Sequence, residues 1–382
     1  MLIDYKAAKE NIIVLVFSLT SFMSLYVFSL GESRTIIFRL FIILSILVFF
    51  LKINVNVKYS VALMMYFIIK SIFFKTIIFD GRELFVILLF GLPVSTLIRI
   101  ATWYVKILVY IFAAGLFIFA LKYFINISPF DTLYHDSPLK QASKIYYDNY
   151  YLLVQGRSEI AMYDVGLIHR FHSVFDEPGM VGTICSFLLF VNYKYIDNPV
   201  FSKVIIIVSG ILSASTMFLI SFLVYLSYMI IKRYSLLFAF IFVSCLLALY
   251  GVYNADIIVS LFHEVIQSDN RISACAWQYL NNEVYIDENI IFWGNGIGAF
   301  MKTGCDGASI LLKSSDQGII FTVTDLTLLI AFLVLFSFKH NNIPTLATGY
   351  YMLLIVLNLY QRPYIFHPLI IVPFFLTLIK RK

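Results

Sequence analysis

Charge is what this chain has least of. Asp, Glu, Lys and Arg make up 13% of its 382 residues, hydrophobic residues make up 61%, and mean hydropathy is +0.90. Too little polar surface remains to cover a water-soluble globule, which excludes a soluble enzyme or binding domain. Clustered basic charge is also missing. The formal net charge of +6 is scattered over short turns, with no patch or stripe to follow a phosphate backbone, so nucleic acid is excluded as a partner. Gly294, Gly296 and Gly298 superficially match a dinucleotide loop, but the strand and helix that such a loop needs are lacking, so the run is a turn. No repeat relates the two halves, which counts against a transporter built from duplicated bundles. Polar stretches are few, and only two are long: 123–173 and 254–318.

Apolar runs fill the rest: 11–30, 35–51, 59–79, 83–100 and 103–122; then 174–193, 200–212, 215–231 and 234–253; then 319–338, 344–360 and 365–379. At about 20 residues per crossing, they predict an all-α polytopic membrane protein with about 12 transmembrane helices. Residues 1–382 form a single integral membrane domain, and 123–173 and 254–318 are its two large extracytoplasmic loops. The run 200–212 is too short to cross alone at about 1.5 Å per residue. The stretch that follows it, Gly210-Ile211-Leu212-Ser213-Ala214-Ser215-Thr216, therefore reads as a break inside the membrane.

Basic residues set the orientation, because cytoplasmic connections retain positive charge. Lys6, Lys9, Lys52, Lys58, Arg99, Lys106, Lys194, Lys203, Lys232, Arg233, Lys339, Lys380, Arg381 and Lys382 fall on one side, against Arg34, Arg82 and Arg362 in the short loops opposite. Both termini are then cytoplasmic and both long loops face out. Gly31-Glu32-Ser33-Arg34 offers no small-residue cleavage site, so the first run is expected to be a retained span.

The outer loops are acidic: five carboxylates against four basic residues in 123–173, and eight against three in 254–318. An anionic substrate would have to be held there by individual cations and not by a general field. Within 140–151, Tyr146, Tyr147, Tyr150 and Tyr151 share one helix face, placing their rings at headgroup depth or against sugar faces. Arg157 follows, and then the dense run from His169 through Arg170, His172, Asp176, Glu177 and Pro178 to Gly182. Asp176 as a cap and Pro178 in the first turn suit the start of a helix. Arg170, His172 and Glu177 have no such duty at the mouth of a membrane helix, where charge is expensive unless used.

Arg170, Phe175, Glu177-Pro178 and Gly182, opening a span after the first long loop, resemble the O-antigen polymerase (Wzy-type) family, which is related to the O-antigen ligases. The resemblance continues in Leu212-Ser213-Ala214-Ser215-Thr216, in Arg271 with Trp277, in Trp293-Gly294-Asn295-Gly296-Ile297-Gly298, and in Ser315-Asp316-Gln317-Gly318 before a span. It covers roughly 120–340 and lies in order and spacing more than in letters. It makes the glycine run a turn that positions the end of the second loop against the membrane.

The resemblance implies a bacterial inner-membrane glycosyltransferase that joins undecaprenyl-pyrophosphate-linked oligosaccharide repeat units at the outer face. Its partners are the lipid-linked oligosaccharide, membrane lipids, and a chain-length regulator and flippase. Such a reaction asks for cations on the departing pyrophosphate and a base beside the attacking hydroxyl. Arginine suits the first task because its fork pairs two phosphate oxygens and keeps its charge. The catalytic candidates are Arg170, His172, Glu177, Arg271 and Asp316, with His263 ranking behind them as a base. The substrate-binding candidates are Arg157 and Arg362, the latter in the tight turn Gln361-Arg362-Pro363 near headgroup depth, where an arginine can also simply snorkel.

Lys70, Lys75 and Arg39, within or near the ends of spans, either serve a lateral lipid-pyrophosphate pocket or, with Asp325, form a structural ion pair. His169, His172 and Asp176 are of metal-ligating type, but the resembled family is not metal-dependent as a rule, so neither metal nor cofactor is expected. Cys275 and Cys305 share the second loop, either as a disulfide in an oxidising compartment or as small buried residues. Two other functions remain in view. O-antigen ligases typically carry a histidine where this chain has Ser315-Asp316-Gln317. A flippase or other transporter suits twelve spans but not the large outer loops.

Overall fold

The computed structural model describes residues 5–31, 33–50, 57–75, 81–134, 146–156, 160–163, 166–233, 274–297, 299–305, 310–341 and 345–378. The chain divides into two compact units. The first comprises Met1–Leu219, Leu328–Ile355 and Tyr364–Lys382; the second comprises Ile220–Thr327 and Val356–Pro363.

The first unit begins with helices α1 (Tyr5–Met23), α2 (Ser33–Phe50), α3 (Val57–Phe74), α4 (Gly81–Phe90) and α5 (Val94–Ile125). Their buried seam holds large apolar side chains such as Phe17, Phe85 and Phe90 together with small hydroxyl residues. Ser18, Thr20, Ser21 and Ser45 are fully buried between α1 and its neighbours, while Ile36, Leu47, Ile69 and Ile72 on α2 and α3 are well over half exposed or close to it. Thr20 and Ser45 join through their hydroxyls at 2.8 Å, and the Ser18 hydroxyl donates to the carbonyls of Val14 (2.6 Å) and Ile100 (3.1 Å). Small hydroxyl residues at helix contacts and large apolar residues on the outer face are what a lipid solvent selects, because helix contact there relies on close approach and hydrogen bonding.

Four helices among the described residues are long and apolar enough to cross a membrane: α2, α5, α8 (Thr216–Arg233) and residues 310–339 of α12 (Ile310–Asn341). Shorter apolar helices are α6 (Pro178–Leu188), α7 (Pro199–Leu212), most of α13 (Leu346–Gln361) and α14 (Pro368–Thr377). The ninth expected run, 234–253, lies outside the described residues.

Several sequence expectations are corrected. The runs 83–100 and 103–122 do not meet at a turn near Ile100. The break comes at Gly91-Leu92-Pro93, and α5 runs unbroken through Arg99 and Lys106. Pro93 cannot continue a preceding helix but can open a new one. The two cations extend from the helix to partners: Arg99 to Glu10 (3.1 Å) and Asn11 (2.5 Å), and Lys106 to Asp197 (2.7 Å). In the expected span 174–193, only Pro178–Leu188 is α-helical, and a 3₁₀ turn follows at Tyr193–Tyr195, whose first hydroxyl donates back to Leu188 O at 2.7 Å. Residue Glu177, not Asp176, occupies the N-cap of α6, with Pro178 in the first turn as expected.

The first long loop is not all-α. It carries an antiparallel sheet, β1 (Asp131–Tyr134), β2 (Tyr146–Asn149) and β3 (Val154–Gly156), and a hairpin, β4 (Ile160–Tyr163) with β5 (Gly166–His169). The tyrosine helix is thus a strand in its described part. Tyr147 and Asn149 are buried, and Tyr146 and Asp148, alternating with them, are half-buried, the period-two alternation of a pleat. Tyr147 packs edge-on against Phe28 with ring centres 5.1 Å apart, and Val154 joins them.

The second unit contains α9 (Ala274–Tyr279), a π-helical turn (Leu280–Val284), α10 (Glu288–Trp293), α11 (Ala299–Lys302) and the first half of α12. Ala276, Tyr279, Leu280, Val284, Phe300 and Leu312 form its core. A disulfide joins Cys275 to Cys305, with Cα atoms 5.6 Å apart.

Candidate functional site

In the first unit, the run that opens with His169 folds onto the break between α7 and α8. α7 ends at Leu212, Ala214 adopts a left-handed φ of 47°, and α8 starts at Thr216, as Gly210–Thr216 foreshadows. A helix end leaves carbonyls without intrahelical donors. Arg170 supplies them: its Nε donates to Ser213 O at 3.0 Å and its Nη2 to Ala214 O at 3.2 Å. The Phe171 amide adds a bond to Leu212 O at 2.9 Å. From the other side Gly182 closes in, where a Cβ would overlap the Ser215 side chain. Arg170, Gly182 and Ser213–Ser215, far apart in sequence, are one assembly.

His172 is buried beside it, with Nδ1 3.2 Å from Asp176 O, and Glu177 is half-buried at the head of α6. His169, at the end of β5, is held below the ordinary histidine pKa of 6.5 by partial burial and by the positive fields of Lys122 and His172, with Asp148 opposing them. Among the described residues no three His, Cys, Asp or Glu side chains are placed to hold a metal.

In the second unit, the two remaining motifs interlock. The amides of Asn295 and Gly296 donate to Ser315 O (2.9 Å) and Asp316 O (3.0 Å). Gly294 and Gly318 both take backbone angles open essentially only to glycine (φ 83°, ψ 163° and φ 77°, ψ 160°). A Cβ on either would overlap the other strand of backbone. Asp316 accepts the Phe300 amide at 2.8 Å, a structural duty at the start of α11. Across Gly318 runs a network around the buried Asp325 carboxylate. Gln317 Nε2 donates to Thr322 Oγ1 (3.0 Å) and Asp325 Oδ2 (2.9 Å), and Lys313 Nζ stands 4.0 Å from the same carboxylate oxygen. Lys313, Gln317 and Thr322 on the N-terminal side of Asp325 are its signal in the sequence.

The other candidates differ in setting. Lys70 is buried, its Nζ 5.9 Å from the centre of the Tyr66 ring, whereas Arg39 and Lys75 are exposed. Arg362 is buried in the turn after α13, with its amide on Asn358 O at 2.8 Å. Arg157, Arg271 and His263 lie outside the described residues. No family model, curated protein or solved structure matches the chain.

Proposed function

We propose that this chain is an integral membrane glycosyltransferase of the O-antigen polymerase type, joining lipid-pyrophosphate-linked oligosaccharide units at the outer face of the bacterial inner membrane. The observation that carries the reading is the packing of Arg170 and Gly182 against the Ser213–Ser215 break. Two of the elements that carry the family resemblance thus meet a third, and this supports the reading. The Cys275–Cys305 disulfide supports an oxidising, extracytoplasmic side for the second polar segment.

In this reading a hydroxyl of one unit attacks the sugar carbon that bears the pyrophosphate of another. The carbon–oxygen bond to pyrophosphate breaks, the new glycosidic bond forms, and the hydroxyl proton passes to Glu177 as general base. Arg170, with two of its donors on Ser213 and Ala214, fixes the break and lends its charge to the departing pyrophosphate. Arg157 and Arg271, further candidate cations by sequence, lie outside the described residues.

Deletion of the gene in an organism that makes lipopolysaccharide tests the reading. The expected surface lipid is core carrying a single repeat, with no ladder. A bare core with long polymer stranded on the carrier would make the chain a ligase, and units trapped at the cytoplasmic face would make it a flippase.

A further inference from the structure

Helices α5 and α7 lie side by side in the first unit and run the same way. At one end Lys106 Nζ donates to Asp197 Oδ2 at 2.7 Å, just before α7 begins. At the other, the Phe171 ring packs on Phe119 of α5 with centres 5.7 Å apart, while the Phe171 amide donates to Leu212 O, the end of α7. Between these ends α5 carries no charge from Ile107 to Leu121, about 22 Å of helix. The Lys106–Asp197 pair therefore stands at an edge of the apolar band, where lipid headgroups begin. A cavity of about 40 Å³ opens beside the pair, and its lining includes Lys106, Asp197, Asn198, Val109, Tyr110 and Phe201. That is room for a few water-sized groups. The two charges are unequally covered: the Lys106 side chain is 18% exposed and that of Asp197 is 73% exposed. Asp197 Oδ1 has no partner among the described residues. Tyr110 and Phe201, on the two helices, are both exposed, as is Trp103, whose ring centre lies 5.5 Å from the Lys106 ammonium.

A cation and an anion side by side, in a cavity with apolar walls at headgroup depth, match a zwitterionic head on a hydrocarbon tail. We propose that this cavity binds phosphatidylethanolamine, with its ammonium on Asp197, its phosphate on Lys106 and its acyl chains leaving past Tyr110 and Phe201. A primary ammonium brings N–H donors to the open Asp197 oxygen, and such charge-assisted bonds are the strong ones. A choline head has no N–H to donate, and a glycerol head has no cation. Asp197 repels a net anionic head, whereas a zwitterion leaves the pair balanced. The site requires only that the first unit lie in a bilayer, so it stands or falls apart from the glycosyltransferase reading.

The test uses Trp103 as reporter. With Trp277→Phe and Trp293→Phe it is the one tryptophan left of three, and its fluorescence is read in the full-length chain, in phosphatidylcholine nanodiscs doped with lipid brominated near the headgroup. Brominated phosphatidylethanolamine should half-quench Trp103 at an about tenfold lower mole fraction than brominated phosphatidylcholine or phosphatidylglycerol, the gain from one charge-assisted bond. Stepwise N-methylation of the ethanolamine should erode the preference, because each methyl removes a donor. Asp197→Asn should bring phosphatidylethanolamine and phosphatidylcholine together. Lys106→Met should weaken quenching by both, since it removes the partner of the phosphate they share.

Should a variant fail to fold, native mass spectrometry of the wild-type chain, released from nanodiscs of the three lipids mixed equally, makes the same comparison without substitution: the lipid retained should be phosphatidylethanolamine. Equal quenching or retention of the three lipids, or a preference for phosphatidylglycerol, would overturn the proposal. So would a phosphatidylethanolamine preference that survives Asp197→Asn, or quenching unchanged by Lys106→Met.

Discussion

The two polar segments are fastened by different physics. The first, within 123–173, makes strands and is tied down by hydrogen bonds to other elements: Asn149 Nδ2 to Ser29 O, Phe171 N to Leu212 O, and Arg170 to the carbonyls at the α7–α8 break. The second makes short helices, closes them with a disulfide, and has its own small core and a glycine interlock. Hydrogen bonds to a helix break form only when that break forms, so the first segment reports on the surrounding helices. A covalent clamp and a private core make the second one locally self-supporting.

The largest effect should come from breaking the first arrangement. Arg170→Ala leaves the Ser213 and Ala214 carbonyls short of donors and removes a positive charge, and should lower polymer formation about 10²–10³-fold. Lysine should rescue only in part, since it lacks the fork. Polymer assays at matched protein level check this, and near-normal product from Arg170→Ala would remove the residue from the site. Glu177→Gln should match it in activity while leaving the fold intact.

In the second segment, Cys275→Ser with Cys305→Ser opens a 30-residue loop, which should cost about 3–4 kcal/mol by chain entropy. The comparison predicts where that cost falls. Limited proteolysis should rise within 274–305 and leave 146–156 unchanged; equal cleavage of both would show that the segments are not independently fastened. Gly318→Ala should cost about 1–3 kcal/mol, because the angle excludes a side chain and its Cβ meets Phe292 O. Thermal unfolding measures it.

The smallest effect is a pH dependence confined to the first segment. The folded pKa of His169 lies below its ordinary 6.5, so folding favours the neutral ring. That contribution is complete above the unfolded pKa and is lost as pH falls from there through the folded value. Stability measured at about pH 7.5 and about pH 5 should therefore differ less in His169→Gln than in wild type. An unchanged difference would place the titration elsewhere.

The same contrast explains what was legible from residues alone. The α7–α8 break was, because a run too short to span and a small-polar heptad are local signals. The turn at Gly294 and Gly296 was, for the same reason. The α4–α5 boundary was not legible, because Arg99 and Lys106 mimic the markers of a turn. Long cationic side chains can leave a continuous helix for partners such as Glu10 and Asp197, and Gly91-Leu92-Pro93 was the better punctuation. The tyrosines at 146–151 satisfy both a helix face and a pleated strand, and aromatic enrichment favoured the strand. That Arg170 would spend two donors on backbone, and that Lys313 and Gln317 would both turn to Asp325, depends on contacts no spacing rule encodes.

The central claim is tested most directly by incubating the purified chain, in proteoliposomes, with lipid-pyrophosphate-linked repeat units alone. The account predicts a ladder of carrier-linked oligomers, one free isoprenoid pyrophosphate released per bond, and neither product with Glu177→Gln. A wild-type chain that makes no ladder, yet transfers preformed polymer once lipid A core is added, would contradict it.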